Sequence, residues 1–168
     1  VTRQYGEIFC YDGIVALDEV SVEEKETAFE KILNHTLVED GMFAVQATVD
    51  VSNGDKTLEV YLVVPEYVDE LNNYIVLRDR KTHEGLSLQE DQLIVNEKLA
   101  KVMDWSVGDT VILNDGGLSG QARISAITEN YTLNYVYMLP ETYEAVMNHA
   151  VDYNTVLINM AETGSEQE

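Results

Sequence analysis

The chain has 168 residues, 31 of them acidic and 10 basic, for a net charge of −21. That length suits one domain or two small ones, and an apolar share of 45 % is enough to build a core. The charge repels phosphate backbones and so argues against nucleic-acid binding; it argues equally against docking on anionic lipid, which needs Lys/Arg clusters. A cationic ligand or partner is compatible with it, beside the plainer reading of a solvated acidic surface.

The first apolar segment, residues 7–17, contains "EIFCYDGIVAL" and reads as a strand. It holds the single cysteine, Cys10, which excludes an intrachain disulfide and reads as a small buried apolar side chain rather than a catalytic thiol. "SVEEKETAFEKILNHT" follows. Ser21 and Glu24 form a capping box, the hydroxyl taking one orphan N–H while the carboxylate reaches back. Glu23, Glu24 and Glu26 complement the positive helix N-terminus, and Val22, Ala28, Phe29, Ile32 and Leu33 make a one-sided stripe. This predicts an amphipathic helix over 22–35.

"FAVQATVDVSNGDKTLEVYLVV" predicts a hairpin, because Asn53-Gly54 suits a two-residue type I′ turn. Placing Ser52 opposite Asp55 sets Val49 against Leu58, Ala47 against Val60, Val45 against Leu62 and Phe43 against Val64, all on one face. Pro65 then suits the first position of a short helix, with Tyr67, Val68 and Leu71 as its apolar stripe. The stretch 75–92 is mixed, a strand end and a loop, and concentrates Arg78, Arg80 and Lys81.

"LIVNEKLAKVMDW" predicts a short strand and then a helix capped by Asn96. Gly108-Asp109 reads as a corner, the glycine giving backbone freedom and the Asp bonding the turn's own N–H groups. Val111 and Leu113 should then point together into a core, with Trp105 and Val107 packed nearby. Two antiparallel strands joined through "NDGGLSG" follow, then a strand in "YTLNYVYM", a helix opened by Pro140, and a last strand in "DYNTVLINM". The order implies an α+β fold: a discontinuous split β-α-β sheet-and-helix part, residues 1–73 plus 131–160, with a smaller inserted β-rich part at 74–130 and a polar tail at 161–168.

Candidate chemistry is sparse. His35, His83 and His149 lack metal-motif spacing and read as surface residues; no nucleophile elbow, phosphate loop or calcium loop is present. With so many acids, adjacent carboxylate pairs arise by chance, so none is singled out as a general acid and base. No catalytic, metal or ligand-binding residue and no cofactor is therefore assigned. The ten tyrosines are unusual, and Tyr131, Tyr135, Tyr137, Tyr143 and Tyr153 fall late in the chain. They can line a partner surface or, on the reading favoured here, pack at the edge of the core with their hydroxyls in water.

"LIVNEKLAKVMDWSVGDTVIL" resembles a recurring segment of MacB/FtsX-type ABC transporter permeases. "ARISAITENYTLNYVYMLPETYEAVM" and "DYNTVLINM" are similar to the family's following stretches, so the resemblance spans about residues 92–160; residues 5–75 fit in layout alone. Two positions depart from the pattern: Asp104 stands where a helix-ending Gly is common, and Leu139 where a Ser often caps the next helix. The resemblance implies a non-catalytic, extracytoplasmic domain of a membrane-embedded permease. It further implies motion driven by a cognate ABC ATPase on another domain or chain, and contact with an extracellular protein, peptide or transported substrate. The abrupt Val1, the tail "AETGSEQE" and the lack of an 18-residue apolar run or signal peptide fit a fragment whose membrane helices lie outside it. The alternative is a secreted carbohydrate-binding or glycan-processing domain, which calls for a deep cleft with two carboxylates and aromatic walls. A regulatory ligand-binding module, with a closed apolar pocket, is a third.

Overall fold

Alternation of apolar and polar residues along 43–64 produces two long strands, and the rest of the molecule is built around them. The structure, a computed structural model, describes residues 13–16, 27, 30, 38–130, 133–151 and 153–160. Its strands are β1 (Gly13–Ala16), β2 (Val38–Ser52), β3 (Thr57–Pro65), β4 (Gln92–Asn96), β5 (Thr110–Asp115), β6 (Leu118–Thr128), β7 (Tyr135–Tyr137) and β8 (Thr155–Met160). Among the described residues the helices with defined bounds are α1 (Glu97–Met103) and α2 (Pro140–Met147), with a 3₁₀ turn at Val68–Asn73. Cys10, His35, Tyr131 and most of the helix expected over 22–35 lie outside the described residues; Thr27 and Glu30, which are described, are helical and exposed.

The α+β class is as expected, with sheet predominating. The sheet does not simply carry helices on one face. β2 pairs with β3, β3 with β7, β7 with β4, β4 with β6, β6 with β5, and β5 returns to β2, so these strands close into a barrel. Strands from within 74–130 and from outside it therefore share one ring. Closure removes the open edges that such a sheet would otherwise expose. β8 and β1 extend the sheet from the first half of β2, outside the ring.

Side-chain alternation divides the apolar residues into two cores. Val45, Val49 and Val51 of β2 point into the barrel with Val60, Leu62, Leu93, Val95, Val111, Leu113, Ile124 and Val136, each at most 6 % exposed. Met42, Ala44, Val63, Ile94, Tyr135 and Tyr137 take the alternate positions and point outward, where Leu71, Tyr74, Ile75, Leu77 and Leu88 cover them. This is why β4 and β7 read as unbroken apolar runs: they are buried on both faces. It also gives the mixed segment 68–88 its role, as a cover for the outer wall.

The β2–β3 hairpin forms, with a longer turn than the sequence predicts. Ser52 pairs with Thr57, so Val49 faces Val60, Ala47 faces Leu62 and Val45 faces Val64, a shift of two residues from the expected register. Side chains alternate with a period of two, so the shift leaves every one on its expected face. The cause is the Asn53 carboxamide, whose Oδ1 accepts the N–H of Asp55 at 2.9 Å and of Lys56 at 2.8 Å. The Gly54 N–H donates to Ser52 Oγ at 3.0 Å, and Gly54 sits at φ 99°. These bonds stabilise a four-residue loop over the two-residue turn. Pro65 is a second difference: it ends β3 instead of opening a helix, and only the short 3₁₀ turn at 68–73 follows.

The helices close opposite ends of the barrel. α1 follows β4 at the end where the β2–β3 hairpin turns, and Leu99, Met103 and Trp105 plug that end. α2 follows β7 at the other end, beside the finish of β3, and inserts Tyr143 and Met147. Gly120 of β6 lets α2 seat: a Cβ there would lie 1.9 Å from the Val146 carbonyl oxygen.

β1 and β8 run antiparallel, with Gly13 opposite Ile158 and Ala16 opposite Thr155. Val38, the start of β2, lies opposite Met160. The chain thus passes into β1 and out of β8 at one edge of the molecule, on neighbouring strands about 5 Å apart. Measured along β2, that edge is roughly 45 Å from the hairpin that meets α1.

Candidate functional site

The α1 end is assembled around Asn96, which is fully buried. Its Oδ1 accepts the Leu99 N–H at 3.3 Å, the expected N-cap, and also the Tyr135 N–H at 3.1 Å; its Nδ2 donates to the Leu133 carbonyl at 2.8 Å. One amide therefore fixes the start of α1 and the approach to β7. At the other end of α1, Asp104 takes the left-handed conformation at φ 56°. The Trp105 N–H bonds Ala100 O at 2.8 Å and the Asp104 N–H bonds Lys101 O at 3.4 Å, a Schellman cap built without glycine. Asn53 Nδ2 reaches Met103 O at 2.9 Å and Lys56 Nζ reaches Val102 O at 3.3 Å, so the hairpin tip supplies further donors to the last carbonyls. The corner forms as the sequence indicates: Gly108 has φ 97°, and the Ser106 N–H donates to Asp109 Oδ2 at 2.8 Å.

A basic loop stands beside α1. Asp79 Oδ1 accepts the N–H groups of Lys81 at 2.8 Å and Thr82 at 2.9 Å, and these bonds hold its carboxyl below the usual carboxylate range. The Arg78 N–H donates to Thr128 Oγ1 at 2.9 Å, and Arg78 Nε meets Glu129 Oε2 at 2.6 Å, anchoring the loop to the end of β6. Arg80 Nε meets Glu97 Oε2, in the first turn of α1, at 3.0 Å. Between loop and helix lies an open cleft of about 240 Å³, lined by Asp79, Arg80, Lys81, Glu97 and Ile127.

The described cations gather at one end, in company with the carboxylates Asp55, Asp79, Glu84, Glu97, Asp104, Asp109 and Glu129. Every Lys and Arg among the described residues belongs to the α1 end or borders its corner: Lys56, Arg78, Arg80, Lys81, Lys98, Lys101 and Arg123. The α2 end carries Glu66, Glu70, Glu141 and Glu144, with no described cation among them. There the Tyr153 hydroxyl is pushed up to about 12, first by burial and then by the nearby carboxylates Glu66, Glu144 and Glu141. The Glu66 carboxyl is raised as well, chiefly by burial, with a smaller push from Glu70. The sequence shows three basic residues at 78–81, but not that the fold brings Lys98, Lys101 and Lys56 to the same end.

Of the residues weighed from sequence, His83 and His149 are exposed and far apart in the chain. Among the described residues no group of three His, Cys, Asp or Glu is placed to hold a metal ion. "NDGGLSG" is the β5–β6 hairpin, turning through Gly116 and Gly117 with Asp115 opposite Leu118. Tyr135 and Tyr137 share a strand face, as alternation predicts, with ring centroids 5.8 Å apart, and Tyr61 lies 5.5 Å from Tyr135. Both Tyr135 and Tyr137 pack in the outer core, as favoured from sequence, but the Tyr137 hydroxyl is buried there instead of reaching water. Val107, expected to pack beside Trp105, is 61 % exposed instead.

An α+β domain with a barrel-closed sheet, entered and left at one edge, defines the architectural class. Solved structures share it. The fold is similar to the periplasmic region of MacB from Actinobacillus actinomycetemcomitans, with a TM-score of 0.52 and 12 % identity over 92 % of this chain and 78 % of that one. It is also similar to the extracellular domain of YknZ, a noncanonic ABC-type transporter from Gram-positive bacteria, with a TM-score of 0.55 and 13 % identity over 92 % of this chain and 84 % of that one. No protein-family profile matches the chain, and no curated protein does. Among the described residues no helix is long and apolar enough to cross a membrane.

Proposed function

We propose that this chain is the extracytoplasmic domain of an ABC transporter permease, a non-catalytic part that carries ATP-driven motion to a substrate or partner outside the membrane. The observation that carries the reading is the pairing of β1 with β8, which brings the incoming and outgoing chain together at one edge. Two membrane helices attached there would act on one strand pair, and β2 would carry their displacement into the barrel. The similarity to domains of MacB and YknZ and the resemblance over 92–160 support the same reading. In it, the β1–β8 flank and the α2 end form the part nearer the membrane, and the α1 end, with the β2–β3 hairpin tip and the 78–85 loop, forms the part farther away. The cognate ATPase acts through the rest of the permease.

A carbohydrate site has less support. The cleft beside α1 has no aromatic wall; Asp79 is engaged by its own turn and Glu97 by Arg80. The test is purification of the membrane protein that contains this chain. An ATP-hydrolysing chain or domain should accompany it through detergent extraction, with turnover altered by constraining β1 and β8. A protein released from cells without membrane helices and without ATPase activity would overturn the reading.

A further inference from the structure

β2 belongs to both parts of the molecule, and its two edges are not alike. One edge is paired with β3 without interruption from Ala44 to Ser52. The other is shared: β8 lies along it from Val38 to Ala44 and β5 from Asp50 to Ser52. Between them, over 45–49, no described strand lies opposite. Backbone groups face the two edges of a strand alternately, and those of Gln46 and Thr48 face this gap. The Gln46 groups are met by a side chain. Asn154 Oδ1 accepts the Gln46 N–H at 2.9 Å, and Asn154 Nδ2 donates to the Gln46 carbonyl at 3.1 Å. The Asn154 N–H itself donates to Ala44 O at 3.2 Å. Thr155, 5 % exposed, donates its hydroxyl to Asn154 Oδ1 at 2.9 Å and so fixes the orientation of the carboxamide. Thr48, the next residue facing the gap, is exposed.

We propose that Asn154 is the positioning residue that sets the β1–β8 flank against the barrel. A strand paired along one edge only twists more readily than one paired along both, so 45–49 is the stretch where β2 would flex. Met42 and Leu157 also join the flank to the outer core, but apolar packing is non-directional. The two-point carboxamide bond supplies the direction. Asn154 stands, too, between β8 and the segment that leaves α2, where the Val151 N–H donates to Glu144 Oε2 at 3.3 Å. With the carboxamide in place, a displacement of β8 enters β2. Without it, the same displacement passes along 148–153 to the helix that plugs the barrel. The inference rests on the proposed function only for what moves the flank.

The test uses the 168-residue chain, isotope-labelled and weakly aligned, with residual dipolar couplings as the readout. Amides of Met42, Phe43, Val156 and Leu157 report the flank; those of Val60, Leu62, Leu93 and Val95 report the barrel. In the unsubstituted chain one alignment tensor should fit both sets. In Asn154→Ala the flank's degree of alignment should fall below the barrel's by about 20 % or more. Asn96→Ala, which removes buried hydrogen bonds at the α1 end, should leave the two sets on one tensor, so a general loss of stability is distinguished from a loss of positioning. If Asn154→Ala does not fold, Thr155→Val, which removes only the brace on the carboxamide, should lower the flank's alignment in the same direction by less. The inference fails if one tensor still fits Asn154→Ala, or if Asn96→Ala lowers the flank's alignment as much. Where only Thr155→Val folds, unchanged flank alignment in that variant overturns it. None of these results bears on ATPase co-purification, so the two proposals can fail separately.

Discussion

Asn96 is the residue on which the α1 end turns. From sequence it is an N-cap, one hydrogen bond deep; in the fold the same carboxamide also holds the Tyr135 N–H and the Leu133 carbonyl. Asn96→Ala leaves these buried groups without that partner, and we expect it to cost about 2–4 kcal/mol in urea-induced unfolding, more than the ~1 kcal/mol of an ordinary cap. A loss below that of an ordinary cap would mean that water replaces the amide. The additional bonds were not legible in the sequence because they join residues nearly forty positions apart. Local chemistry was legible: the left-handed Asp104 and the corner at Gly108-Asp109 follow from what those side chains do to their own backbone. Where a local rule competed with a second local bond, the simpler rule lost. Asn53 lengthened the hairpin turn by bonding two N–H groups at once, and Val107 was turned outward by the corner that it helps to form.

At the scale of elements, the strands and α1 and α2 were legible because their periodicities are clean, but their assembly was not. A closed ring requires β5 to meet β2 and β7 to lie between β3 and β4, pairings that no local pattern encodes. One residue did carry a trace of the assembly. Gly120 interrupts β6 without a positive φ, and its purpose is the approach of α2, whose Val146 carbonyl occupies the space of a side chain. Gly120→Ala should push α2 from the barrel mouth and lower stability by about 1–3 kcal/mol in urea unfolding, with the loss of α2 amide protection exceeding that of β4. An unchanged unfolding midpoint would show that α2 does not seat as described. The charged surface was half legible. The sequence concentrates Arg78, Arg80 and Lys81, while their meeting with α1 depends on Arg78 being tied to Thr128 and Glu129 across the sheet.

At the scale of the whole molecule, the described residues form a barrel with a two-strand flank, β1 and β8. Its long axis is spanned by β2, which pairs with β8 in its first half and with β3 and β5 towards its end. That shared strand makes the flank and the barrel one mechanical body. The decisive question is whether the α1 end faces the outside of the cell. In the membrane protein containing this chain, a Lys98→Cys substitution, compared with the unsubstituted protein that retains Cys10, is exposed to a membrane-impermeant maleimide in intact cells. An extracytoplasmic α1 end predicts labelling of the introduced thiol without lysis; labelling that emerges only after the membrane is broken would contradict it.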